Sequence, residues 1–299
     1  MTKKQRSNMR MRVVGSAGLV MMLAPIASAQ TTFAFDHRGP DNLFSFPVND
    51  PLTQTQIGFV GGLDYAPFAM DFDTAGTTLY VIDHITGVLV LGTVDMVTGV
   101  FTKGPVIVDP LPNATGLSID PTNETFYLSN GTSLYTLDPV TGGTVLVGNF
   151  VDPAGPAIGL VIDIAINNEG DMYAHSISTD SLYAIDKTTA VATFIGGSGL
   201  AANFAQGMDF DPVSNRLYAA IYTGGGTGSY GTWDTTTGVF TEILDLPSFP
   251  DPSGGGRELE MAITRLSGGC PCACDFDPDP LCDIFDFLAF QNEFVRGCP

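Results

Sequence analysis

Five aspartates near the C-terminus, Asp275, Asp277, Asp279, Asp283 and Asp286, occupy positions 1, 3, 5, 9 and 12 of a twelve-residue loop. Carboxylates at this spacing form a hard-oxygen set suited to Ca²⁺, and the main-chain carbonyl of Leu281 at position 7 would add a further ligand. A second set of carboxylates lies upstream, at Asp71, Asp163, Asp209 and Glu260. Brought together, they could serve as acid and base or nucleophile in bond hydrolysis, or hold a cation. They could equally accept backbone N–H groups where strands crowd together. Other signals are weaker. Gly226-x-Gly228-x-x-Gly231 has dinucleotide-loop spacing, but no helical pattern follows it, so it reads as a flexible hairpin loop. His37 and His84 fall at equivalent places after a strand and read as turn residues, while His175 sits in a strand beside Tyr173 with no second ligand nearby. Neither G-x-S-x-G nor H-E-x-x-H occurs.

Whether the upstream carboxylates can meet depends on a repeat. An acid or amide ends a short apolar strand at Asp73, Asp120, Asn167 and Asp211, and Thr264 is a weaker copy, at spacings of 47, 47, 44 and 53 residues. Each unit reads as four strands: the FAMDFD type, the LYVID type, then a pair such as SLYTLD and TVLVG. Turn residues lie between them, in Asp-Pro-Val-Thr-Gly (138–142), Asp-Pro-Val-Ser-Asn (211–215) and Thr-Thr-Thr-Gly (235–238). A period of 40 to 50 residues with four short strands per unit resembles the blades of a β-propeller. The last unit stops after one strand, Glu260 to Thr264, and the missing three are at the other end of the chain. Thr32–His37 resembles the LYVIDH strand, Asn42–Phe46 the third strand and Thr55–Gly58 the fourth. The expectation is an all-β, five-bladed propeller over 30–266 whose N- and C-terminal strands share one blade, with a further degenerate blade conceivable in the 53-residue interval. Aligned on the repeat, Asp71 and Asp209 share one position, and Asp163 and Glu260 lie two residues earlier. With a period of two, all four fall on one face of their innermost strands, toward the central channel.

Composition changes after Leu266. Ser267-Gly268-Gly269 opens a linker (267–274), and all five cysteines, Cys270, Cys272, Cys274, Cys282 and Cys298, follow within 29 residues. Clustered in this way in an exported protein they read as local disulfides, with one left over and the pairing open. Asp286 is followed directly by an apolar helical run, IFDFLAFQNEF. Loop and helix together, 275–299, resemble the EF-hand-type calcium loop of dockerin modules, with Pro280 at position 6 and Cys282 at position 8 as departures and a single loop in place of two. The resemblance implies a Ca²⁺ ion held by Asp275, Asp277, Asp279, Leu281, Asp283 and Asp286, with affinity on the order of 10⁻⁴ to 10⁻³ M as in extracellular modules. It also implies that the Ile284–Val295 helix docks to a cohesin-like or surface-protein partner, since so small a module cannot bury Phe285, Phe287, Leu288, Phe290 and Phe294 by itself.

The N-terminus supplies the compartment. Lys3, Lys4, Arg6, Arg10 and Arg12 precede an apolar run from Val13 to Ile26, and Ala27-Ser28-Ala29 is a small-residue cleavage site before Gln30. This is the pattern of a secretory signal peptide (1–29), too short for a stable membrane span. It carries five of the 12 Lys+Arg and none of the 32 Asp+Glu, so its removal takes the net charge from −20 to −25. Such a surface repels nucleic acid and anionic lipid. Asn113, Asn123 and Asn130 stand in N-x-S/T sequons. The sequence thus favours a secreted, periplasmic or surface binding protein. The alternatives are an extracytoplasmic propeller hydrolase or lyase using the four channel carboxylates, and a structural surface protein without a ligand.

Overall fold

The computed structural model describes residues 30–265, apart from 37–41, 60–66, 86–87, 109–110, 112, 156, 205–206 and 249–257. The leader, the cysteine-rich linker and the acidic loop with its helix lie outside the described residues, as does His37.

Twenty strands form five four-stranded antiparallel sheets. The chain enters through β1 (Thr31–Asp36), β2 (Asn42–Pro47) and β3 (Thr55–Phe59). Four complete blades follow. The first holds β4 (Met70–Phe72), β5 (Leu79–Ile85), β6 (Val88–Val94) and β7 (Phe101–Val106). The second holds β8 (Gly116–Ile119), β9 (Phe126–Ser129), β10 (Ser133–Leu137) and β11 (Thr144–Asn149). In the third are β12 (Val161–Ile166), β13 (Met172–Ser176), β14 (Ser181–Ile185) and β15 (Ala192–Gly197), and in the fourth β16 (Gly207–Asp211), β17 (Arg216–Gly224), β18 (Thr227–Trp233) and β19 (Phe240–Asp245). A single strand, β20 (Leu259–Ile263), completes the fifth sheet in the order β20-β1-β2-β3. The expected sharing of one blade by the two ends is therefore observed, with Thr32 opposite Ile263 and Asp36 opposite Leu259. The long final interval contains the β17–β18 hairpin and a 3-10 turn, Leu246–Ser248, and no sixth sheet among the described residues.

The innermost strands β4, β8, β12, β16 and β20 touch in turn, and β20 touches β4, which closes a ring. They are buried on both faces, whereas an outermost strand such as β11 is largely exposed. The hydrophobic core is accordingly divided into five clusters, one at each blade boundary. One joins Ile82, Leu89 and Leu91 to Leu117, Phe126 and Leu128, and another joins Leu182 to Phe210, Leu217 and Trp233. No blade has a core of its own, so the free energy of burial is realised only when neighbours stack and the ring closes.

The repeated acid or amide has a local cause. Asp73 Oδ1 accepts the N–H groups of Thr77 and Thr78 at 2.7 and 3.0 Å, and Asn167 Oδ1 accepts that of Asp171 at 2.7 Å. Each folds the turn between the first and second strands of its blade. In the fifth copy the anchor closes the ring: Thr264 N–H donates to Thr31 O at 2.9 Å, and its hydroxyl donates to Gln30 Oε1 at 3.0 Å. A second family of turns, Asp95–Gly99, Asp138–Gly142 and Asp234–Gly238, joins third to fourth strands. There the aspartate accepts two following N–H groups and the glycine sits at φ +70, +74 and +70. Gly142 is needed twice over, because a Cβ there would lie 2.0 Å from Val106 O in the preceding blade.

Two expectations need correction. Gly228 and Gly231 lie inside β18, not in a loop, and only Gly225 and Gly226 form the hairpin turn. Their role is close approach: a Cβ at Gly228 would lie 2.3 Å from Ile221 O, and one at Gly231 would lie 2.1 Å from Thr241 O. His84 likewise lies within β5, paired opposite Leu89, not in a turn after it.

Candidate functional site: the axial carboxylates

The structure brings Asp71, Asp163, Asp209 and Glu260 onto the inner strands around the axis, all between 1% and 3% exposed. Each aspartate binds with one oxygen the N–H of the residue after it and with the other an N–H of the next inner strand. Asp71 accepts from Phe72 and from Ile119, both at 2.6 Å. Asp209 accepts from Phe210 and Ile263, both at 2.7 Å, and Asp163 from Ile164 at 2.8 Å and Met208 at 2.6 Å. Glu260 receives the Met70 N–H. A carboxylate two residues before the anchor thus reaches one N–H of the neighbouring strand, and one four residues before reaches the N–H two positions earlier. Four of the five inner seams are stitched in this way. At the fifth, between β8 and β12, the Thr115 hydroxyl donates to Val161 O at 3.0 Å.

Small residues make room for these clasps. A Cβ at Gly116 would lie 2.6 Å from Asp163 Oδ1, and one at Gly207 would lie 2.4 Å from Met261 N. The inner strands therefore approach more closely than side chains would allow, and the backbone groups exposed by that approach must find partners.

Arg265, which the sequence analysis does not single out, completes the cluster. Its Nη2 donates to Asp71 Oδ2 at 2.9 Å and lies 3.8 Å from Asp209 Oδ1, and the residue is 5% exposed. It directly follows the Thr264 anchor, and a basic residue beside an inner strand in so acidic a chain was the available signal. One guanidinium does not balance four carboxylates. Burial pushes Asp209 up to about 8, raises Asp71, and holds Asp163 and Glu260 well above the ordinary carboxylate range; neighbouring carboxylates push Asp163, Asp209 and Glu260 in the same direction. Burial and the neighbouring carboxylates thus favour the uncharged form of Asp163 and Glu260.

Chemically, these groups clamp backbone. Proton transfer to a substrate requires a carboxyl within hydrogen-bond reach of it, and both oxygens of each aspartate already face main-chain donors in a site closed to solvent. Glu260 Oε1 and Arg265 Nε have no hydrogen-bond partner among the described residues, but both are shut off from solvent as well. No group of three or more His, Cys, Asp or Glu is poised to hold a metal ion among the described residues. Asp275, Asp277, Asp279, Leu281, Asp283 and Asp286 lie outside them. His175 is fully buried between the third and fourth blades, with its ring 5.3 Å from that of Trp233 in an edge-on arrangement.

The fold so defined is a five-bladed β-propeller with a carboxylate-stitched axis. No protein-family model matches the chain, and no curated protein is significantly similar to it. Among solved structures it is similar to a chain of a nidogen/laminin complex, with 13% identity and a TM-score of 0.49, covering 79% of this chain and 99% of that one. It is also similar to TolB from Acinetobacter baumannii, with 12% identity and a TM-score of 0.48, covering 80% and 67% of the two chains. A protein from Lactobacillus plantarum gives 13% identity and a TM-score of 0.42, covering 75% and 69%. These are resemblances of architecture, and the blade count rests on the five sheets themselves. No helix among the described residues is long and apolar enough to cross a membrane.

Proposed function

We propose that this protein is an exported, non-enzymatic binding or scaffold propeller, attached to a protein partner by a calcium-binding C-terminal tail. The observation that carries the non-enzymatic reading is the use of the axial carboxylates: each aspartate holds two backbone N–H groups across or beside a blade seam, and all four acids are at most 3% exposed. A propeller whose acids are committed to its own main chain acts through the surfaces its loops present. Export rests on the basic, apolar and A-x-A pattern of 1–29, and attachment on the acidic loop and apolar helix of 275–299. In the tail, five carboxylates and the Leu281 carbonyl would bind Ca²⁺ and fix the start of the Ile284–Val295 helix, whose aromatic face would meet a cohesin-like or surface-protein partner.

The test is calorimetric titration of Ca²⁺ into the oxidised mature protein, beside Asp275→Ala and Asp286→Ala. Saturable binding near 10⁻⁴ to 10⁻³ M, lost in both variants, is expected. Absence of binding at several millimolar Ca²⁺ would overturn the calcium-dependent attachment and leave a disulfide-held tail.

A further inference from the structure

Of the inner strands, β20 alone has no hairpin to its neighbour. The others turn directly into the second strand of their own blade, whereas β20 pairs with β1, the first strand of the ring. Its place therefore rests on side chains as well as on pairing. On the β16 side Asp209 accepts the Ile263 N–H at 2.7 Å, and on the β4 side Glu260 accepts that of Met70. Just past the strand, Arg265 donates to Asp71 at 2.9 Å, and Thr264 bonds to Thr31 and Gln30. One of the four axial acids and the guanidinium that faces two others thus belong to β20 and its exit.

Two features fix the charge of the closed cluster. The acids are at most 3% exposed, and Arg265 is the cation set against them. Four carboxylates against one guanidinium would leave a surplus of negative charge away from water, which burial strongly disfavours. Glu260 Oε1, moreover, has no hydrogen-bond partner among the described residues. A proton there removes the charge from an oxygen without a donor, while the other oxygen still accepts the Met70 N–H.

We infer that β20 is a proton-linked latch: the closed ring keeps protons on Glu260 and Asp209, and withdrawal of β20 into solvent releases them, so that acid tightens the closing seam and alkali loosens it. Each carboxyl passes its proton to water and becomes a solvated carboxylate, and no other bond changes. Burial, which raises both acids, acts in the same direction. The other ionisable side chains on or around β20 are Glu258 ahead of it, Asp36 on β1, Asp71 on β4, Asp163 on β12, Asp211 on β16, Arg216 and Tyr218 on β17 and Tyr230 on β18. Asp120, which pairs with Lys187, faces Arg265 from the end of β8. Burial pushes Tyr218 and Tyr230 above 10, so neither loses a proton near neutrality.

The latch draws on no residue of the C-terminal tail, so it stands or falls apart from the calcium-dependent attachment. The test is amide hydrogen exchange of the mature protein, read by mass spectrometry at pH 6.5 and 7.5, with each rate divided by that of an unprotected amide at the same pH. Each proton released on opening raises the opening constant about tenfold per pH unit, so protection of β20 should fall about a hundredfold across this interval. Strands β9 and β10, whose blade contributes none of the four acids, should keep their protection. Glu260→Gln and Asp209→Asn retain an acceptor for the same N–H groups and should each reduce the fall in β20 to about tenfold. A fall of less than tenfold in the wild type would overturn the latch. So would an equal fall in β9 and β10, which would assign the protons to unfolding of the whole ring, or a fall that neither substitution alters.

Discussion

Acidification should weaken this propeller in part through His175, alongside the turn aspartates whose hydrogen bonds lower their pKa. Its imidazole is fully buried, and neither ring nitrogen has a hydrogen-bond partner among the described residues. Burial alone lowers its pKa from 6.5 to about 3. The folded pKa is depressed, so the unfolded chain takes up a proton first: the residue has no effect above pH 6.5, and stability is lost as pH falls from 6.5 toward 3. At pH 4.5 the gap from 6.5 is two units, or about 3 kcal/mol, and the full loss below pH 3 is about 5 kcal/mol. In a domain of this size about 3 kcal/mol corresponds to roughly 6–12 °C in Tm. The assay is urea unfolding of the wild type and His175→Phe at pH 7.5 and pH 4.5. Phe keeps a ring against Trp233, and any packing penalty from its greater volume is the same at both pH values and cancels. The variant should gain about 3 kcal/mol on the wild type between the two conditions, whatever their difference at pH 7.5. A stability difference that does not change with pH would refute the argument, because it would mean that the folded protein lets the imidazole protonate.

The axial acids should act in the opposite direction. Asp209 has a folded pKa raised to about 8 from 3.8, so its contribution is complete below 3.8 and is lost as pH rises through 8. Relative to Asp209→Asn, the wild type should lose roughly 3–4 kcal/mol between pH 5 and pH 8, and parallel urea titrations with no divergence would contradict this. Arg265→Met should destabilise the fold by about 3–5 kcal/mol, since it leaves Asp71 beside its neighbours without the guanidinium; a thermal melt within 2 °C of wild type would show that the pair is dispensable. Gly207→Ala places a methyl 2.4 Å from Met261 N and should separate β16 from β20, at a cost of about 1–3 kcal/mol or more. An unchanged urea midpoint would mean that the inner strands are not in fact so tightly apposed.

The architecture was legible in the sequence because it is written in local chemistry that repeats. Asp73, Asp120, Asn167 and Asp211 mark the same turn in four blades, and that turn requires an acceptor side chain just after the first strand. The incomplete final unit and the orphan strands at the N-terminus implied one another, and β20 pairs with β1 as that reading requires. Period-two alternation likewise placed Asp71, Asp163, Asp209 and Glu260 on one face.

What those carboxylates do there was not legible. Acid–base work, cation binding and main-chain capture call for the same residue types at the same spacing, and only the separation of the inner strands decides among them. That separation is set by Gly116 and Gly207, whose missing side chains matter only against a neighbouring blade. Arg265 and the isolation of His175 were hidden for the same reason, since ion pairing and burial arise between blades that are distant in sequence. The chain itself determined the blades, their turns and the way the ring closes, all of which arise within about fifty residues or by pairing of complementary ends. The tertiary structure alone decided which polar groups are shut away from water and which main-chain donors they meet, because desolvation belongs to the assembled ring and to no segment of it.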